Sequence, residues 1–199
     1  ARYQGHRDTA LSEIGRAQAE AAGRLLAGQR LHAVWSSPLR RARETAAAIA
    51  APQGLAVQVE EAFAEMRFGE WEGLTVDEVS ARFPGLHRMW LETPHLVDVP
   101  GGETLDFLRA RVLKGLRGLR AAHDGQTVCL VTHGMTSRIL ILEALGLDLD
   151  RLWSLQTSFT GISELEFRGD WSVVHRMNTL VHLEQGPAAG ASRLPAVGV

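Results

Sequence analysis

A chain of 199 residues is long enough for one domain with a proper core, and 45% hydrophobic with 22% charged residues argues against a disordered polymer. A net charge of −2 gives no electrostatic case for nucleic acid as the main partner. One cysteine excludes an internal disulfide and a cysteine-built zinc site, and no apolar run reaches the roughly 20 residues that span a bilayer.

In chain order, Ser12 to about Gly28 steps its apolar residues three or four apart, which predicts a helix. Ala33–Ser36 is a short strand, and Ser37-Pro38 then reads as a helix start, with a hydroxyl to cap and a proline where no N–H is needed. That helix stops at Pro52-Gln53-Gly54, and Leu55–Val59 alternates as a second strand. Thr75 and Glu78 have capping-box spacing and open a helix that ends before Pro84. Met89 to Pro100 reads as loop with some helix. From Thr104 a long helix carries Leu105, Leu108, Val112, Leu116 and Leu119 on one stripe. Thr127–Thr132 is a continuously apolar strand of the buried, parallel kind, with Cys129 expected in the core. A helix from about Met135 to Leu145 follows at once. Ser163–Phe167 and Ser172–Arg176 flank Arg168-Gly169-Asp170 as an antiparallel hairpin. The alternation argues for a three-layer α/β/α sandwich around a mostly parallel mixed sheet. One domain over 1–185 is expected, with an insertion at 66–103 and a loose tail at 186–199. Five tryptophans fit either buried packing or an interface, which leaves a homodimer open.

Three segments carry chemistry. His133 sits where a buried strand ends and a helix begins, a place where open α/β sheets bind ligands and where anions are favoured; a structural histidine is the alternative. The segment Ser36-Ser37-Pro38-Leu39-Arg40-Arg41-Ala42-Arg43-Glu44-Thr45 repeats that geometry and loads the first turn with arginine. Such cations oppose the helix dipole unless an anion binds there, and a solvated basic face paired with Glu44 is the bland reading. In Phe63-Ala64-Glu65-Met66-Arg67-Phe68-Gly69-Glu70-Trp71-Glu72-Gly73, a carboxyl lies among apolar residues that can raise its pKa. Composition does not choose between Glu65, Glu70 and Glu72. No Walker-type loop or Gly-x-Gly-x-x-Gly turn follows a predicted strand, and His133 has no ligand-spaced neighbour, so neither a nucleotide-binding domain nor a metal site is indicated.

These segments, in this order, resemble the histidine phosphatase superfamily that includes the cofactor-dependent phosphoglycerate mutases. So do Arg2-Tyr3-Gln4-Gly5-His6-Arg7-Asp8-Thr9-Ala10-Leu11-Ser12 and Gly101-Gly102-Glu103-Thr104, and the resemblance runs from Arg2 to about Leu183. It implies a phosphoglycerate mutase-like fold and covalent phosphoryl transfer through a phosphohistidine, with no cofactor and no metal. By residue-wise match, Arg41 is a phosphate-clamp arginine, Glu65 the proton donor and His133 the second pocket histidine. Gln4, Gly5, Arg67, Gly134 and Met135 are expected at the substrate. The compact stretch from Glu65 to Gly101 favours a phosphatase over a mutase, of the short broad-specificity or α-ribazole-phosphate kind. The expected partner is a small phosphorylated metabolite, in a cytoplasmic setting. One departure matters: no histidine here stands in the family's Arg-His-Gly nucleophile motif. The chain opens on Ala1 rather than Met, so that motif is expected upstream. It would end an apolar strand lying between Ala33–Ser36 and Thr127–Thr132 or beside one of them. A mutase-type transfer and a non-catalytic phosphate-ester-binding protein are the alternatives.

Overall fold

The structure, a computed structural model, describes residues 2–184; the expected tail at 186–199 lies outside them. Helix α1 (Glu13–Leu26) starts where Ser12 Oγ accepts the Gly15 N–H at 3.1 Å. It packs on α2 (Arg40–Ala50), and at Gly23 the two backbones come so close that a Cβ would strike the carbonyl of Ala48. Strands β1 (Ala33–Ser36), β2 (Val57–Val59) and β3 (Val128–Val131) form a parallel sheet in the order β2-β1-β3. Helices α3 (Val76–Arg82), α4 (Pro84–Glu92), α5 (Leu105–Ala122) and α6 (Gly134–Leu145) follow in turn, and β4 (Ile162–Arg168) with β5 (Trp171–Thr179) make an antiparallel hairpin.

Side-chain alternation along β3 separates the layers. Cys129 and Val131 join Ala22, Leu26, Val34, Ala46 and Ile49 on the α1/α2 face, whereas Leu130 joins Leu108, Val112, Ile139 and Leu142 on the α5/α6 face. The three-layer α/β/α arrangement is therefore built as the residue pattern requires. The capping box is also in place: the Thr75 N–H donates to Glu78 Oε2 at 2.7 Å, and the Glu78 N–H to Thr75 Oγ1 at 3.1 Å. Within residues 66–103, Met66, Trp71, Trp90, Val97 and Val99 are buried, so much of this segment is core.

Four expectations need correction. Helix α2 starts at Arg40, not at Ser37; Asp8 Oδ1 accepts the Arg40 N–H at 2.5 Å, so the cap comes from a distant loop, while Ser37 Oγ accepts the Leu39 N–H at 3.2 Å. Met89–Glu92 completes α4, which Pro84 opens at the position where its missing N–H costs nothing. Strand β3 and Cys129 are only half-buried, because β3 borders a large cavity. Burial still pushes the Cys129 thiol up to about 12. Finally, β1 and β3 pair directly, with Ser36 opposite Val131, so no strand lies between them; the other edge of β3 has no strand partner among the described residues.

Candidate active site

The parallel register that sets Ser36 opposite Val131 brings two helix starts together. The Ser37 N–H donates to the Val131 carbonyl at 2.9 Å, and Ser37 Oγ lies 2.6 Å from Nε2 of His133, the N-cap residue of α6. Sequence reasoning took Ser37 for a helix cap; its hydroxyl instead fixes the ring of the pocket histidine.

Glu65 comes from a third segment, and its backbone is stitched to the same strand-helix junction. Thr132 Oγ1 donates to the Phe63 carbonyl and Thr136 Oγ1 to the Ala64 carbonyl, each at 2.7 Å. Glu65 Oε1 then accepts N–H bonds from Met66 at 2.9 Å and Met135 at 3.2 Å. Those bonds, together with the Arg41 charge, favour the carboxylate. Burial outweighs them, and the pKa of Glu65 is raised above the ordinary carboxyl value.

Arg41 reaches the same cavity from the first turn of α2. Its Nη1 donates to the Arg7 carbonyl at 2.8 Å and its Nη2 to the Gly5 carbonyl at 2.9 Å, so the loop of residues 4–8 is wrapped around the guanidinium. Burial lowers its pKa, opposed by the charges of Glu65, Asp8 and Glu72. Gly5 is required in that loop: its φ is +51°, and a Cβ there would overlap the Glu72 carboxyl. The other first-turn arginines take the bland role. Arg40 pairs with Glu44 at 2.6 Å on the surface, and Arg43 is exposed.

Arg41, Glu65, His133, Gln4, Gly5, Gly134 and Met135 thus line one cavity, although they come from sequence positions 4 to 135. Arg67 does not join them. Its side chain is exposed and outside the cavity, because its backbone N–H and carbonyl are both bonded to Glu103. Of the competing carboxyls, Glu70 is exposed, while Glu72 Oε1 is occupied by the N–H groups of His6 at 3.0 Å and Phe68 at 3.1 Å. His6 was not anticipated. Its Nε2 lies 2.7 Å from the Glu65 carbonyl, and the only sequence signal was its place between Gly5 and Arg7. No group of three or more His, Cys, Asp or Glu side chains that could hold a metal occurs among the described residues.

Burial, followed by the charges of Arg41, His6 and Arg111, pushes His133 down to about 3. The imidazole is therefore neutral at pH 7 and can donate one N–H while the other nitrogen accepts. A depressed folded-state pKa means that the unfolded chain takes up the proton first. The stability contributed by the neutral ring is complete above about pH 6.5 and is lost as the pH falls toward about 3. Urea melts of His133→Gln between pH 7 and pH 4 should show a shallower acid-side loss of stability than the parent chain. Identical slopes would contradict this placement of the ring.

The model of the histidine phosphatase superfamily (branch 1) matches residues 1–180. The chain belongs to that superfamily. This histidine phosphatase is an enzyme of the phosphoglycerate mutase-like group. It is 36% identical over 182 residues to phosphoserine phosphatase 1 of Hydrogenobacter thermophilus, covering 92% of this chain and 86% of that protein. It is 34% identical to the glucosyl-3-phosphoglycerate phosphatase of Mycolicibacterium vanbaalenii, covering 84% and 77% of the two chains. Among solved structures, YhfR of Bacillus stearothermophilus superimposes with a TM-score of 0.86 at 30% identity, over 91% of this chain and 90% of that one. No helix among the described residues is long and apolar enough to cross a membrane.

Proposed function

We propose that this histidine phosphatase is a phosphomonoesterase that acts on a small phosphorylated metabolite through a phosphohistidine intermediate. The observation that carries the reading is Glu65. Its burial favours the protonated acid, and it shares one cavity with a cationic Arg41 and a neutral His133. Arg41 and the His133 N–H bind phosphoryl oxygens, and the α6 N-terminus adds its dipole. Glu65 protonates the leaving alkoxide; the resulting carboxylate then takes a proton from the water that attacks the phosphohistidine, returning inorganic phosphate and the protonated acid. The phosphoserine phosphatase and the glucosyl-3-phosphoglycerate phosphatase named above favour hydrolysis over mutase-type transfer.

The attacking histidine is assigned to a strand seated between β3 and β4. The cavity measures about 2520 Å³, against roughly 300–1,000 Å³ for a small-molecule site. Its walls include Val128–Val131 of β3 and Ile162–Arg168 of β4, with Leu140 and Ile141 of α6. Two strand edges facing one apolar cleft are the setting in which a further strand satisfies the free backbone groups. A parallel strand beside β3 would end where β3 ends, next to His133 and Arg41.

A form of the enzyme carrying such a strand, mixed with a ³²P-labelled phosphomonoester and quenched in alkali, should retain protein-bound label. Acid should strip that label, as expected of a phosphoramidate. Label that survives acid, or no bound label during turnover, excludes the phosphohistidine route. Label passed to a second ester rather than to phosphate would indicate a mutase.

A further inference from the structure

We infer that Arg111 is a positioning residue for the acid Glu65, acting through the backbone that carries it, and that Glu103 aims Arg111. The inference rests on the role given to Glu65 above. Arg111 lies two turns into α5, outside the cavity that holds Arg41 and His133. A guanidinium carries five N–H donors in a rigid fork, and here each one has an acceptor. Nε donates to Glu103 Oε1 at 2.7 Å and one Nη2 N–H to Glu103 Oε2 at 2.9 Å. The two Nη1 N–H groups donate to the carbonyls of Ala62 and Ala64, both at 2.9 Å, and the second Nη2 N–H donates to the carbonyl of Glu65 itself at 2.8 Å.

Glu103 completes the clamp from the other side. Its Oε2 accepts the Arg67 N–H at 3.2 Å, and its own N–H donates to the Arg67 carbonyl at 2.9 Å. Backbone on both sides of Glu65 is therefore fixed by one ion pair, leaving the Glu65 side chain free to face the cavity. Glu103 is 3% exposed, and a buried carboxylate is tolerable only when it is paired and bonded in this way. Burial alone would raise its pKa, but the hydrogen bonds and charge of Arg111, helped by Arg67, lower it, so the pair stays ionised. Mutual neutralisation lets Arg111 touch the Glu65 carbonyl without pulling the carboxyl toward its charged form. The cations coupled to that carboxyl are Arg41 and Arg138, not Arg111.

A lysine at position 111 keeps the charge but cannot span three carbonyls and a carboxylate. In a strand-bearing form of the enzyme, Arg111→Lys should lower kcat for an alkyl phosphomonoester by about 10²-fold, the scale of a displacement near 1 Å. KM should hold within about twofold, and p-nitrophenyl phosphate, whose leaving group needs little help from an acid, should lose less than about threefold. In parallel, ¹³C-glutamate NMR of the 199-residue chain should show the Glu65 carboxyl titrating at lower pH in the variant, nearer the ordinary carboxyl value. Glu103→Gln, which is isosteric, should move both readouts in the same direction and carries the test if Arg111→Lys fails to fold. Equal losses on the two esters, or an unmoved Glu65 titration, would leave the pair a purely structural one and overturn the inference. Should neither ester be turned over even by the parent, the phosphatase reading fails, and the NMR titration still decides the role of Arg111.

Discussion

Glu65→Gln, placed in an enzyme form that has its nucleophile, is expected to slow hydrolysis of an alkyl phosphomonoester by about 10²- to 10⁴-fold, the range a positioned general acid supplies. The same variant should hydrolyse p-nitrophenyl phosphate nearly as fast as the parent, because a phenolate of low basicity departs without a proton. Glutamine keeps the shape and can still accept the Met66 and Met135 N–H bonds, so the loss isolates the proton. A second readout comes from stability. Burial raises the Glu65 pKa above its value in the unfolded chain, so between those two values the folded state holds more protons than the unfolded one. Stability contributed by the protonated acid is therefore complete below the unfolded value and is lost as pH rises through the raised one. Glu65→Gln should consequently melt higher than the parent at neutral pH, by roughly 2–4 °C for each kcal/mol relieved, with the gap closing near pH 4. Equal rate losses on both esters would remove Glu65 from the acid role, and a larger loss from Glu72→Gln would hand that role to Glu72.

How much of this was legible in the chain depends on whether the deciding interactions are local. Helix ends set by neighbouring residues, such as Thr75 with Glu78, follow directly from spacing, and so does the apolar stripe of α5. The junction at His133 is equally readable, since an apolar strand and a helix meet there over a few residues. Ser37 was misread because the group that caps α2 is Asp8, a residue 32 positions from Arg40, which leaves the serine hydroxyl for His133. Arg111 was invisible for the same reason. On a helical pattern it is a polar residue next to the Val112 stripe, and nothing local says that it ends on the carbonyls of Ala62, Ala64 and Glu65. Arg67 was drawn toward the substrate by its nearness to Glu65 in sequence, yet its backbone is tied to Glu103, 36 residues away, and its side chain stands exposed outside the cavity. Periodicity also could not show that β3 borders a cavity, because an apolar run reads alike whether a strand or a cleft lies beside it.

That cleft supports the prediction with the largest effect: the 199-residue chain alone should show negligible phosphomonoesterase activity, and a form bearing an upstream apolar strand that ends in Arg-His-Gly should be active with EDTA present. The magnitude follows from the chemistry. Enzymatic acceleration of phosphate monoester hydrolysis can approach roughly 10²¹-fold, and a positioned acid accounts for only about 10²- to 10⁴-fold of it. In the proposed reading Arg41 and His133 bind and Glu65 protonates, but none is a free nucleophile here, since Nε2 of His133 is engaged by Ser37. A covalent route thus needs a histidine from elsewhere, and the cavity that β3 and β4 border is the one that Arg41 and His133 line. Seating a strand there should also be visible without turnover. Backbone N–H groups of Val128–Val131 and Ile162–Phe167 that have no ladder partner in the 199-residue chain would gain one, so their hydrogen exchange should slow strongly in the longer form. Changing the histidine of the added motif to alanine should abolish turnover while leaving that protection intact, which separates the nucleophile from the strand that delivers it. Activity of the 199-residue chain in EDTA that is lost in His133→Ala would make His133 the attacking group. Unchanged exchange along β3 and β4 in the longer form would mean that the added segment does not enter the cleft.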